Sequence, residues 1–157
     1  MLFLLGIANE AFWRALSGDA ANVERPGPSN RRSPFVISEI MYHPAPQESG
    51  ANLEFIEIFN SQPWWEEVDD FHIDGDINYS LPPGTRIEKL NYLVIASDPE
   101  AVKKAYGLEN VLGPYSGRLS NGGGQLQLRN NLDAVLFEVN YGTRAPWPSS
   151  RMARATH

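Results

Sequence analysis

The 157-residue sequence predicts an all-β sandwich of short antiparallel strands with one short helix. Three observations carry that expectation. The apolar residues fall in short runs, several alternating with polar residues as half-buried strands do. The 12 Pro and 13 Gly sit mostly between those runs, where they mark turns. Only one segment after residue 34 carries helix start and stop signals, so an alternating strand–helix α/β pattern is absent. At 42% hydrophobic and 11% aromatic residues, the chain has enough apolar surface for one packed core.

Residues 1–24 read as an apolar-rich helix, a degraded leader or a remnant of an upstream domain. Residues 1–7 are apolar enough for a signal sequence, but a basic start is missing and Glu10 and Arg14 interrupt the run, so a signal peptide is not convincing. A membrane span needs roughly 20 apolar residues, and this segment has far fewer. Residues 25–34, with Pro26, Pro28 and Pro34, read as a linker. The expected organisation is a helix or leader with its linker at 1–34, a folded domain at 35–148 and a basic tail at 149–157.

The first strand is expected at residues 35–42, stopped by Pro44 and Pro46, and the second at 53–59. A weaker third strand at 68–73 leads into the turn pair Asp74-Gly75, with residues 77–81 as its hairpin partner. Residues 92–96 are almost continuously apolar and should be buried on both faces, as in a central strand. Asp98 can cap and Pro99 can start a short helix that ends at Tyr106-Gly107. Strands at 125–129 and 135–141 close the domain after a tight hairpin loop at Asn121-Gly122-Gly123-Gly124. The expected core includes Leu93, Ile95, Leu126, Leu128, Phe137 and Val139.

Without cysteine there are no disulfides, thiolate metal sites or cysteine nucleophile. A formal net charge of −6 argues against nucleic acid as a partner. Between Ser33 and Thr85 the sequence has ten acidic residues and no Lys or Arg, so one acidic side is expected. It is either a solvated surface or an attraction for basic partners.

No recognisable nucleophile accompanies His43, His72 or His157, and no catalytic residue is assigned. Glu54 and Glu57 lie three apart in a strand, face opposite ways, and read as satisfied or solvated carboxylates. Asp74, Asp76 and Asn78 have the alternate spacing of oxygen ligands in a calcium loop, but Tyr79 and Thr85 break the full pattern, and a hairpin turn fits the same residues. The glycine run lacks the Lys and strand-to-helix setting of a phosphate cradle. No cofactor is implied. Trp64 and Trp65 are the most suggestive feature: a core holds one of two consecutive extended residues easily, and the other either awaits a partner or folds over the sandwich end. With Glu66, Glu67, Asp69 and Asp70 they form the candidate binding residues, with no basic residue expected nearby.

Several motifs resemble one known family. Val36-Ile37-Ser38-Glu39-Ile40-Met41-Tyr42-His43-Pro44 resembles the opening strand of bacterial lamin tail domains, and Glu54-Phe55-Ile56-Glu57-Ile58-Phe59-Asn60 their second strand. Leu81-Pro82-Pro83-Gly84-Thr85 followed by Tyr92-Leu93-Val94-Ile95-Ala96 is similar to their middle hairpin. The stretch from Gly113 through Gly123 and the closing segment from Tyr141 to Trp147-Pro148 complete the likeness, which covers residues 35–148 in order. It implies an immunoglobulin-like antiparallel β-sandwich of about seven to nine strands. It also implies a non-catalytic structural or protein-binding module of a larger bacterial extracytoplasmic or cell-surface protein. Two departures are the Pro63-Trp64-Trp65-Glu66-Glu67 stretch and an ending where the family often continues into another strand. Carbohydrate binding through exposed Trp, or service as an accessory domain of a secreted hydrolase, are the alternative functions.

Overall fold

The computed structural model describes residues 33–144. The expected N-terminal segment up to residue 32 and the tail after 144, including the closing Trp147-Pro148, lie outside the described residues.

Two sheets pack face to face. The first contains β1 (Phe35–Met41), β2 (Phe55–Asn60), β7 (Tyr92–Ala96) and β8 (Val111–Leu112), in that order. The second runs β11 (Val135–Gly142), β10 (Gly123–Arg129), β4 (His72–Gly75), β5 (Ile77–Ser80), β9 (Ser116–Gly117). A two-stranded ribbon of β3 (Glu66–Glu67) and β6 (Arg86–Ile87) lies in the connections. Seven strands have four or more residues and four have only two.

Period-two alternation explains what each strand buries. On β2, Ile56 and Ile58 face inward and stand opposite Ile95 and Leu93 of β7. On the facing sheet Ile73, Ile77, Leu126, Leu128, Phe137 and Tyr141 meet them, all at most 4% exposed. Val139 packs against this core but is only partly buried, because among the described residues β11 is the last strand of its sheet.

The helix α1 (Pro99–Tyr106) forms where its caps place it. The Asp98 carboxylate accepts from the Ala101 N–H at 3.1 Å. Gly107, at φ 68°, closes the other end by donating to the Lys103 carbonyl. It is not incidental. Val102 is fully buried in a second apolar cluster with Leu53, Phe55, Val94, Ala96 and Val111 on the outer face of the first sheet. That cover is why β7 is buried on both faces.

Several expectations are corrected. The sandwich is not wholly antiparallel: β8 pairs parallel to β7, with Val94 opposite Val111. The chain reverses through α1 between them, the crossover that a parallel neighbour requires. Residues 68–73 do not form a continuous strand; Val68 is buried as a loop anchor and the strand begins at His72. The 81–96 stretch is not a hairpin, since β5 and β7 belong to different sheets. The glycine run is not a hairpin loop either: it links β9, at one edge of the second sheet, to β10 three strands away. Among the described residues no helix is long and apolar enough to cross a membrane.

Replacing Phe137 with Ala removes a ring that is 4% exposed and bridges the sheets. Urea unfolding should show a loss of about 3–5 kcal/mol; a loss below about 1 kcal/mol would place the ring outside the core.

Candidate functional site

Neither tryptophan enters the core. Trp64 is 56% and Trp65 52% exposed, so both rings are displayed on the loop after β2. The loop is held from beneath by Asn60, the last residue of β2, which has no exposed surface. Its amide nitrogen donates to the carbonyls of Trp64 at 2.9 Å, Ile87 at 3.0 Å and Glu88 at 3.3 Å. Its carbonyl accepts from the Gln62 N–H at 3.0 Å. One buried side chain thus ties the tryptophan loop to the β6 segment and supplies donors to backbone carbonyls of both.

The rings differ in setting. The Trp64 indole N–H donates to the Glu66 carboxylate at 2.8 Å. The Arg86 guanidinium lies over the Trp65 ring, 5.9 Å from its centroid, and pairs with Glu88 at 3.1 Å. Pairing of β3 with β6 sets Glu67 opposite Arg86. The expectation of no basic residue nearby is therefore corrected: Arg86 is the first residue past the acidic window, and strand pairing folds it back onto that window. Asp69 and Asp70 follow in the turn closed by the Phe71 N–H and the Val68 carbonyl at 3.3 Å. Asp70 takes a left-handed φ of 57°, and Asp69 keeps one buried carboxylate oxygen without a partner.

The three candidate metal ligands are occupied separately. Asp74 accepts from the Gly75 N–H at 2.8 Å and faces the Arg129 guanidinium at 3.6 Å. Asn78 is exposed, and its backbone carbonyl accepts from the Ser116 hydroxyl. Asp76 has a different role. It accepts from the Tyr141 hydroxyl at 2.7 Å and from the amides of Ser120 at 3.3 Å and Gln125 at 3.4 Å. Burial, then the bond to Asp76, pushes the Tyr141 hydroxyl well above the usual tyrosine range, so it stays a donor. A Cβ at Gly124 would overlap the Asp76 carboxylate. The glycine run therefore makes room for this carboxylate, which composition could not show. Among the described residues no group of three His, Asp or Glu comes together to hold a metal.

Of the histidines, His72 pairs with Asp133 at 3.3 Å and His43 is exposed, while His157 lies outside the described residues. Glu57 accepts from the Ser38 hydroxyl at 2.6 Å. Glu54 is 3% exposed. The residues that sequence reasoning missed are Asn60, Arg86 and Arg118, each of which has a partner far along the chain: Ile87 for Asn60, Trp65 for Arg86 and Glu54, at 3.6 Å, for Arg118.

Compared with models of known protein families and with curated proteins, this chain returns no match. The likeness drawn from strand motifs therefore rests on those motifs.

Asn60→Ala should cost about 1–3 kcal/mol, the penalty for stranding buried carbonyls, and should raise the mobility of the Trp64 indole in ¹⁵N relaxation. Gly124→Ala should cost about 1–3 kcal/mol by overpacking. Combined with Asp76→Ala, the loss should be less than additive, because the two changes share one contact. An additive loss in that cycle would mean that Asp76 and Gly124 do not meet.

Proposed function

We propose that this domain is a non-catalytic binding module that recognises a protein segment through Trp64 and Trp65, within a larger bacterial extracytoplasmic protein of the lamin-tail type. The observation that carries the reading is the display of two large rings, each more than half exposed, on a loop locked by a buried asparagine. Exposed tryptophan has a solvation cost that a partner relieves, and a held loop gives up little entropy on binding. In the segments that carry and face the rings, residues 64–70 and 86–89, Glu66, Glu67, Asp69, Asp70 and Glu88 outnumber Arg86 and Lys89, which favours a basic segment. The strand motifs shared with lamin tail domains support a display or protein-binding role and carry no catalytic residue with them.

Trp64→Ala and Trp65→Ala, made separately, should leave the melting temperature within a few degrees of the parent. Affinity for a basic partner captured from the source organism should fall at least about tenfold in one of them, as for an interface anchor. Binding should also weaken as salt rises from about 50 to 500 mM. If each variant loses several kcal/mol of stability, the rings are structural and the proposal fails. Binding that needs one ring but ignores salt would instead indicate a carbohydrate, tested on a glycan array.

A further inference from the structure

β2 separates two ends of the sandwich. Asn60 and the tryptophan loop lie at its C-terminal end, and Glu54 lies just before its first residue, about 20 Å away at the usual strand rise. Glu54 lines a cleft of about 340 Å³ formed by the loop after β1, the entry to β2 and the segment after β9. That volume falls within the range of small-ligand sites, roughly 300–1,000 Å³.

The carboxylate is placed firmly and paired poorly. Its backbone N–H donates to the Asn52 side chain at 3.0 Å and its carbonyl accepts from the Ser97 N–H at 3.0 Å, so Glu54 has little freedom to move. The side chain is 4% exposed. Its two partners are distant: the Tyr115 hydroxyl at 3.4 Å and the Arg118 Nε at 3.6 Å. A charge-assisted bond is ordinarily about 2.7–2.9 Å, and a carboxylate has about four acceptor positions. A buried carboxylate so sparsely bonded is costly, and a donor-rich cation that reaches it recovers that cost. Arg118 holds the place loosely, with a side chain 75% exposed.

The walls narrow the choice of ligand. Pro44, Pro46 and Ala51 give the mouth apolar surface, which suits a methylene chain. Of the two aromatic rings in the lining, Tyr42 is packed on Tyr141 at 5.4 Å and the exposed His43 offers only a small imidazole face, so the cleft lacks the broad platform on which a sugar stacks. An anion would meet the Glu54 carboxylate.

We infer that this cleft is a second binding site, taking a primary alkylammonium group whose nitrogen replaces Arg118 at Glu54. The ammonium belongs either to a lysine side chain of a peptide or to a free small diamine. The site is independent of the tryptophan loop.

Calorimetric titration of the full chain with cadaverine and with N-acetyl-lysine amide tests the inference, with the Nζ-acetylated lysine derivative as the uncharged control. At least one amine should bind and the control should not; the tighter amine identifies the source. Glu54→Gln should weaken binding about 30-fold or more, as loss of a buried charge partner does. Arg118→Ala, a change at an exposed side chain, should strengthen binding several-fold by removing the competitor. Trp64→Ala should leave it unchanged. The inference is overturned if neither amine binds at millimolar concentration, if the acetylated control binds equally well, or if Arg118→Ala weakens binding. The last two measurements decide the matter even if Glu54→Gln fails to fold.

Discussion

The carboxylate of Asp76 organises one end of this molecule. Tyr141 on β11, Ser120 in the segment after β9 and Gln125 on β10 all donate to it, and the Arg118 N–H donates to its backbone carbonyl. Edge strands β9 and β11 of the second sheet are thereby tied to one residue between β4 and β5. A half-buried carboxylate is tolerable there because it accepts several donors at once. The same bonds set the course of residues 118–121, which form one wall of the cleft over Glu54. Any change that loosens Asp76 therefore reaches both the sheet edge and the cleft.

Asn60 does comparable work at the opposite end. Each end relies on one polar side chain that gathers backbone groups from segments distant in sequence, while the apolar core between them supplies the bulk of the stability. This division suits a display module: the core is indifferent to what the loops carry, and the polar anchors determine where the loops point. The tryptophan loop illustrates it, since its rings stay outside the apolar core and its backbone is held by Asn60 beneath.

The charges are less one-sided in space than along the chain. Arg86 covers Trp65 and pairs with Glu88, and Arg129 reaches both Asp74 and Asp133. The Arg86–Glu88 pair is exposed on both sides and contributes little to stability, whereas the Arg129 side chain is only 22% exposed. In space they set basic groups against the acidic stretch, Arg86 at Trp65 and Arg129 at Asp74.

Local rules account for most of what was legible in the sequence. Short apolar runs placed β2 and β7, period-two alternation placed β10 and β11, and together they identified Leu93, Ile95, Leu126, Leu128 and Phe137 as core. The cap residues Asp98, Pro99 and Gly107 located α1 to the residue. The hairpin of β4 and β5 follows from Asp74-Gly75. These features depend on residues within a few positions of one another, so they leave a local pattern. Sheet membership does not: the segments on either side of the 81–91 connection look like two arms of a hairpin until the packing sends β5 and β7 to different sheets. The same holds for the polar anchors, since Asn60 meets Ile87 across 27 positions, Tyr115 meets Glu54 across 61 and Tyr141 meets Asp76 across 65. A side chain's type shows what it is able to bond. Which partner it finds was decided only when the two sheets closed and brought distant segments within about 3 Å of each other.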